Sequence, residues 1–351
     1  MALQRGMFLA GSAALAAAVA LPATPAPAQN LTDVTLLFPR LTPGADYSFP
    51  WAAEALGFFR AEGLRVTIQP TGGSPEVARL VAAGQGDIGL AGAEATIVAA
   101  SKGLPIRDVF TIQQKMIYSV GAPESSAIRA AADFKGKRVG VQSLAASPVF
   151  VARAIFREAG LDPDRDITFV PIGVGGQAVA AVKSGQVDGV AFHDTQFVIF
   201  RANGVPFRLM PAPNFKPYFT VGLVVKSDAI AQRAPMIAGF TRAIAKALVY
   251  SFANPAASIK AMAQIVPDAN KDPAESMAEL KERLTFEGLP AEAKGQWGWN
   301  TPARYQKFAD FLQSVGVIDQ KIDGAAIFDP RFLQRANAFD VAAIERMARS
   351  A

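Results

Sequence analysis

Val81-Ala82-Ala83-Gly84-Gln85-Gly86-Asp87 and Val182-Lys183-Ser184-Gly185-Gln186-Val187-Asp188 stand 101 residues apart and read as one pattern: a helix end, a glycine, the start of a strand. Gly84 and Gly185 suit the left-handed conformation that closes a helix, and a short apolar run follows each, Ile88 to Ala91 or Gly189 to Phe192. The same offset holds upstream, where Val66-Thr67-Ile68-Gln69-Pro70 matches Ile167-Thr168-Phe169-Val170-Pro171. Each of these runs enters a glycine-rich turn, Thr71-Gly72-Gly73-Ser74 or Gly173-Val174-Gly175-Gly176. Further upstream, Phe58-Phe59-Arg60-Ala61-Glu62-Gly63-Leu64 answers Ile155-Phe156-Arg157-Glu158-Ala159-Gly160-Leu161, with the turn Asp162-Pro163-Asp164-Arg165-Asp166 taking up the changed offset.

A duplicated strand-helix-strand-helix-strand unit predicts an α/β protein of two similar lobes, with mainly parallel sheets around a hinged cleft. Lobe II is expected over residues 120–216, and lobe I over 29–119 together with 217–351, which adds the C-terminal helices. The strand-like run Tyr218 to Lys226 returns the chain to lobe I, and alanine-rich helices follow over 236–252, 256–265, 274–285 and 302–315. Two crossings between lobes make a natural hinge.

The composition narrows the chemistry. The chain has 351 residues, 51% hydrophobic and 19% charged, with no cysteine and one histidine. Thiolate nucleophiles, disulfides, zinc fingers and iron–sulfur clusters are therefore excluded, and so is a multi-histidine metal site around His193. No catalytic residue, metal site or cofactor is expected, and the protein reads as a non-enzyme. The net charge of +5 is mild, and the densest basic run, Lys135-Gly136-Lys137-Arg138, has no aromatic interleaving, so nucleic acid is not an expected partner.

Residues 1–28 read as a cleavable export signal: Arg5, an apolar run from Met7 to Leu21, and the small-x-small site Ala26-Pro27-Ala28. That run is shorter than the ~20 residues of a membrane span. No later run approaches that length without charges. A free, monomeric periplasmic protein is the expectation.

In open α/β sheets, ligands bind beyond the carboxyl ends of the strands, where helix starts expose N–H groups. Six segments qualify, three per lobe: residues 39–47, 71–76, 92–96, 143–148, 173–177 and 193–196. One ligand between the lobes could touch all six.

The chain resembles the periplasmic substrate-binding proteins of ABC importers, in the group for nitrate, sulfonates, taurine and pyrimidine precursors of thiamine. The resemblance is carried by Ala55-Leu56-Gly57-Phe58-Phe59-Arg60-Ala61-Glu62-Gly63-Leu64, Gly72-Gly73-Ser74, Ala83-Gly84-Gln85-Gly86-Asp87-Ile88-Gly89, Asp133-Phe134-Lys135-Gly136-Lys137-Arg138-Val139-Gly140-Val141 and Gly185-Gln186-Val187-Asp188. Pro302-Ala303-Arg304-Tyr305-Gln306, Asp310-Phe311-Leu312 and Gly316-Val317-Ile318 extend it toward the C-terminus. It implies a type II periplasmic binding fold, a small-molecule ligand, and an ABC permease with its ATPase as partners.

Gly92-Ala93-Glu94-Ala95-Thr96 with Phe110-Thr111-Ile112-Gln113-Gln114 looks more like the pyrimidine-precursor branch than the sulfonate branch. Glu94, Asp194 and Asp46 supply acceptors that suit amino or ring N–H donors, and Tyr47, Phe49, Trp51 and Phe192 are aromatics able to flank a planar ring. Core packing is the expectation for Phe49 and Trp51 beside Pro50, and packing against lobe I for Trp297 and Trp299. The expected ligand contacts are Tyr47, Ser74, Glu94, Ser143, Ser147, Gly175, Asp194 and Thr195. Glu94, Asp194 and Thr195 read equally as helix caps. Binding of sulfonate, nitrate or an aromatic carboxylate through Arg40 and the serines stays open, as does a pyrimidine-synthase-like enzyme on the same fold, whose cysteine-rich motif is missing here. Whether Arg40 and His193 face the cleft is also open.

Overall fold

The computed structural model describes residues 30–215 and 217–351. The export signal expected over residues 1–28 lies outside the described residues. The Gly84 and Gly185 turns form as the repeat predicts: both glycines are left-handed, at φ +72° and +68°. In each, the glycine N–H and the next N–H return to the helix, Gly84 to Val81 and Gln85 to Leu80, Gly185 to Val182 and Gln186 to Ala181. The aspartate that ends each copy has a job the sequence did not disclose. Asp87 accepts a hydrogen bond from the Thr35 N–H at 2.7 Å, and Asp188 accepts one from the Arg138 N–H at 2.8 Å. Each carboxylate thus ties the start of one strand to the neighbouring strand.

Among the described residues the strands are β1 Thr32–Phe38, β2 Leu64–Pro70, β3 Ile88–Gly92, β4 Ile106–Thr111, β5 Tyr118–Pro123, β6 Lys137–Val141, β7 Ile167–Pro171, β8 Gly189–His193, β9 Phe207–Leu209 and β10 Val221–Lys226. They form two five-stranded sheets, in the orders β2-β1-β3-β10-β4 and β7-β6-β8-β5-β9. In each sheet four strands run together and one runs against them, β10 in the first and β5 in the second. The reversed strand is in both cases the one that has just crossed from the other lobe. The two sheets therefore share one topology, with their crossover strands exchanged.

The helices over the sheets repeat as well: Ser74–Ala82 matches Gly175–Lys183, and Ala93–Ser101 matches Asp194–Ala202. Lobe II has its own apolar centre, including Ile172, Val182, Val190, Phe192 and Phe200. Phe192, fully buried, packs edge-on against Phe200 at 5.9 Å, so it belongs to that core and not to the cleft. Phe49 and Trp51 are core residues too, Trp51 meeting Phe38 edge-on at 4.8 Å.

The C-terminal helices are Ala234–Ala253, Pro255–Ile265, Pro273–Glu287 and Pro302–Ser314. Ala234–Ala253 is long and apolar enough to cross a membrane by length and composition, but it is mostly buried within the protein and packs as a core helix. Its polar side is fixed by Glu62, which pairs with both Arg242 and Lys246. Trp297 stacks near Phe252 at 5.1 Å, and the Arg304 guanidinium lies 5.0 Å from the Trp299 ring, so both tryptophans serve packing.

Candidate functional site

The two crossings between sheets run side by side. Thr220, just before β10, receives a hydrogen bond from the Ile117 N–H at 3.1 Å and donates to the Lys115 carbonyl at 2.8 Å. From this hinge hang the two equivalent helix starts. The Ala93 N–H donates to the Thr220 carbonyl at 2.7 Å, and the Asp194 N–H donates to the Ile117 carbonyl at 2.9 Å. Each first N–H of the helix, otherwise without a partner, is thereby satisfied by the strand coming from the opposite lobe.

Between the lobes lies a cavity of about 40 Å³ lined by Arg40, Tyr47, Ser74, Tyr118, Ser147 and His193, among others. Arg40, Gly73 and Gln142 also line an adjoining, wider space of about 500 Å³, with Leu41, Ser143 and Val174 in its walls. Arg40 and His193 thus both face the cleft, and four of the expected contacts, Tyr47, Ser74, Ser147 and Ser143, line one part of it or the other.

Glu94 is fully buried at the start of its helix. Its carboxylate folds back over Gly92 so closely that a Cβ there would lie 2.1 Å from Oε1 and would displace the carboxylate. The carboxylate faces Ser147, yet neither Glu94 oxygen nor the Ser147 hydroxyl has a well-formed hydrogen bond. Burial raises the Glu94 pKa to about 7, against the pull of Ser147 and the Glu94 and Ala95 N–H groups. Gln113, in the hinge beside the Tyr47 hydroxyl, is also fully buried with both amide atoms unpartnered. Buried polar groups are normally paired, and Glu94 and Gln113 stand directly behind Ser147 and Tyr47, which line the cavity.

The opposite wall is an ion cluster that clasps the lobes. Asp46, after β1, accepts hydrogen bonds from Arg40 at 2.6 Å and from Arg283 at 2.9 Å. The same Arg283 forms an ion pair with Asp194 of the other lobe at 2.7 Å, and both side chains are almost wholly buried. Thr195 donates from its hydroxyl to Asp46 at 3.2 Å, a second bond across the cleft. Burial opposes ionisation of Asp46, but Arg40, Arg283 and His193 overcome it and hold its pKa at about 2. For Asp194, burial wins over Arg283, helped by Asp46, and its pKa rises to about 7. The Tyr47 ring is held by the same arginines, whose guanidinium carbons lie 4.9 Å and 4.8 Å from its centroid.

This cluster settles the state of His193. Burial and the nearby Arg40 lower its pKa to about 3, so the ring is neutral. The ring Nδ1 is 2.9 Å from the Thr195 hydroxyl, which is itself 3.2 Å from Asp46. With the hydroxyl proton directed to Asp46, which can only accept, Thr195 accepts from Nδ1 and the unpartnered Nε2 offers a lone pair; with that proton directed to Nδ1 the roles of the two ring nitrogens reverse.

Of the remaining expected contacts, Gly175 donates its N–H to Gln196 Oε1 at 2.8 Å, Asp194 is engaged by Arg283, and Thr195 bridges His193 and Asp46. Neither Glu94 nor Asp194 acts as a helix N-cap; Gly92 and His193 hold those positions. Sequence reading missed Arg283, Gln113, Tyr118 and Gln142. For Arg283 a signal existed: the buried side of the helix Pro273–Glu287 runs Ser276, Leu280, Arg283, Glu287, placing an arginine and a glutamate where a helix of this kind turns apolar residues inward.

Residues 46–258 match the family model described as NMT1/THI5 like. The riboflavin-binding protein RibY of Chloroflexus aurantiacus is 23% identical over 318 residues, which cover 88% of this chain and 90% of that protein. A 4-amino-5-hydroxymethyl-2-methylpyrimidine phosphate synthase of Legionella pneumophila is 22% identical over 287 residues, 80% of this chain and 86% of the relative. Among solved structures, the alkanesulfonate-binding protein SsuA of Xanthomonas axonopodis pv. citri, bound to MOPS, superposes with a TM-score of 0.66 at 20% identity, over 86% of this chain and 100% of that one. The architecture of two hinged five-stranded sheets is accordingly the periplasmic binding protein fold. With the family pattern matching more than half of its sequence, the chain belongs to the NMT1/THI5-like family.

Proposed function

We propose that this protein is the periplasmic solute-binding component of an ABC import system, closing its lobes on a planar nitrogen heterocycle such as a pyrimidine precursor or a flavin. The observation that carries the ligand class is the pairing state of the cleft. Arg40 and Arg283 already hold carboxylates through their terminal nitrogens, leaving only Arg40 Nε and Arg283 Nε and Nη1 without partners, while the unpartnered His193 Nε2 faces the inner cavity and the unpartnered Glu94 carboxylate stands beside Ser147, which lines it. Among the described residues no cation other than Arg40 lines either part of the cavity. An anion such as a sulfonate or nitrate wants a free cation and converging donors; a ring with amino and N–H groups wants acceptors. The Gln113 amide and the Ser147 hydroxyl add donors for ring nitrogens or carbonyl oxygens.

Export and delivery to a permease rest on the leader-like N-terminus and on the fold. The names of the relatives point to both binding and synthesis. The receptor reading is favoured by a cysteine-free chain and by a lone histidine held neutral at the end of a hydrogen-bond chain.

Thermal unfolding of the purified protein against aminopyrimidines, riboflavin, aromatic carboxylates, taurine, alkanesulfonates and nitrate tests the reading. A ligand at a hundred times its Kd adds about 2.7 kcal/mol of stability. Stabilisation by a pyrimidine or flavin, abolished by Glu94→Gln, is the expected result; stabilisation only by sulfonates, nitrate or carboxylates would overturn the ligand class.

A further inference from the structure

We propose that the outer part of the cleft is a separate subsite for an apolar, planar extension of the ligand, so that the natural solute has two parts. The inference rests on the heterocycle reading above and adds what that heterocycle must carry. The inner cavity, at about 40 Å³, is a place for a small polar head, whereas the outer space of about 500 Å³ is of the size that small-molecule sites have. The two adjoin, sharing Arg40, Gly73 and Gln142 in their walls, so a ligand that reaches past these residues occupies both.

The outer walls differ in chemistry from the inner ones. Leu41, on the loop after β1, lines the outer space and, at 72%, is the most exposed large apolar side chain among the described residues; Ala145, on the loop after β6, lines it from the other lobe, with Thr42, Glu76 and Gln177 as polar neighbours. Val174 adds an apolar side chain, and the glycine turns at Gly72-Gly73 and Gly173 bring bare backbone to the walls, a surface suited to the face of a flat group. Between head and body, the buried and unpartnered Nε of Arg40 and Oγ of Ser143 offer donors to a carbonyl or hydroxyl on the ligand. The chemical class is therefore a heterocycle with N–H donors at one end, an acceptor in the middle and an apolar planar body at the other end.

The test compares two probes by calorimetric titration: 4-amino-2-methylpyrimidine, and the same ring with a benzyl group at C5. The wild-type protein should bind the benzylated probe at least tenfold more tightly. Leu41→Ser/Val174→Ser, which alters two residues that line the outer space and not the inner cavity, should remove that gain while the Kd of the small ring stays within twofold. Equal affinity of the wild type for both probes, or a gain that survives in the double variant, would overturn the subsite and leave the heterocycle reading standing. Binding of neither probe, nor of riboflavin in the same titration, would overturn the heterocycle reading, and the subsite with it.

Discussion

The helix starts Gly92-Ala93-Glu94 and His193-Asp194-Thr195 occupy the same place in two copies of one unit, each hung by its first N–H from the opposite crossing strand. Both carry a buried carboxylate, displaced by one residue, and burial lifts both to a pKa of about 7. Neither carboxylate has a well-formed hydrogen bond, yet Asp194 has the Arg283 cation at 2.7 Å, whereas Glu94 has no charged partner. The same scaffold position has been divided between two tasks. One copy joins the lobes, and the other is left for the solute. Duplication supplies two equivalent helix starts facing one cleft, and a single arginine from outside the repeat decides which of them serves as the clasp.

Removing that arginine is the most severe way to break the contrast. Arg283→Met leaves Asp194 buried without its only cation and takes one of two from Asp46. Breaking a buried pair from one side costs about 3–5 kcal/mol when the surviving charge stays desolvated, and Asp194, whose pKa is already raised to about 7, relieves part of this by taking up a proton, so the low end of that range applies near neutral pH. Urea unfolding should show a loss of that size, and small-angle scattering of the ligand-free variant should show a larger radius of gyration as the lobes part. Arg283→Met/Asp194→Asn should recover part of the stability, since no unpaired charge remains at that position. If the single and double variants are equally unstable, Asp194 is not the carboxylate that the arginine serves.

Glu94→Gln sharpens the other side. A carboxyl whose pKa rises from 4.5 in the unfolded chain to about 7 in the fold stabilises the fold fully below pH 4.5. That stability is lost as pH climbs from 4.5 through 7, by about 3 kcal/mol in all. The amide does not titrate. The stability of Glu94→Gln relative to wild type should therefore rise across that window and be flat outside it, reaching about 3 kcal/mol in favour of the variant, while solute binding falls. A difference that does not change with pH would mean that Glu94 is already paired. Stability gained with binding lost is the signature of a group kept for function.

The repeat made the fold legible, since glycine caps and short apolar runs are local signals that the chain repeats in register. The helices Ser74–Ala82 and Gly175–Lys183 begin and end at matching positions, as do Ala93–Ser101 and Asp194–Ala202. The cleft was legible in part for the same reason, because strand ends locate helix starts, and Ser74, Ser143 and Ser147 stand there. Pairing was not legible. Arg283 reaches Asp46 from 237 residues away, and Thr195 reaches it from 149, so their meeting depends on how the lobes close. Nor could sequence reveal that Tyr47 packs against two guanidinium groups, or that His193 Nδ1 meets the Thr195 hydroxyl.

Thr195→Val is the mildest of these changes and isolates that last point. Valine keeps the shape of threonine but neither donates to Asp46 nor accepts from His193 Nδ1, two bonds at 3.2 Å and 2.9 Å. Asp46 keeps both arginines, so the clasp survives, and the loss of stability should be about 1 kcal/mol, the usual worth of a hydrogen bond. The larger consequence is for the neutral imidazole, whose tautomer is no longer fixed, so that Nε2 is an acceptor only part of the time. Affinity for a solute that donates N–H to His193 should fall several-fold, and nitrogen-15 NMR of the ring should shift from one tautomer toward a mixture. Affinity and tautomer both unchanged would mean that the chain from Arg283 through Asp46 and Thr195 ends at the threonine, and that lobe II contributes only the clasp.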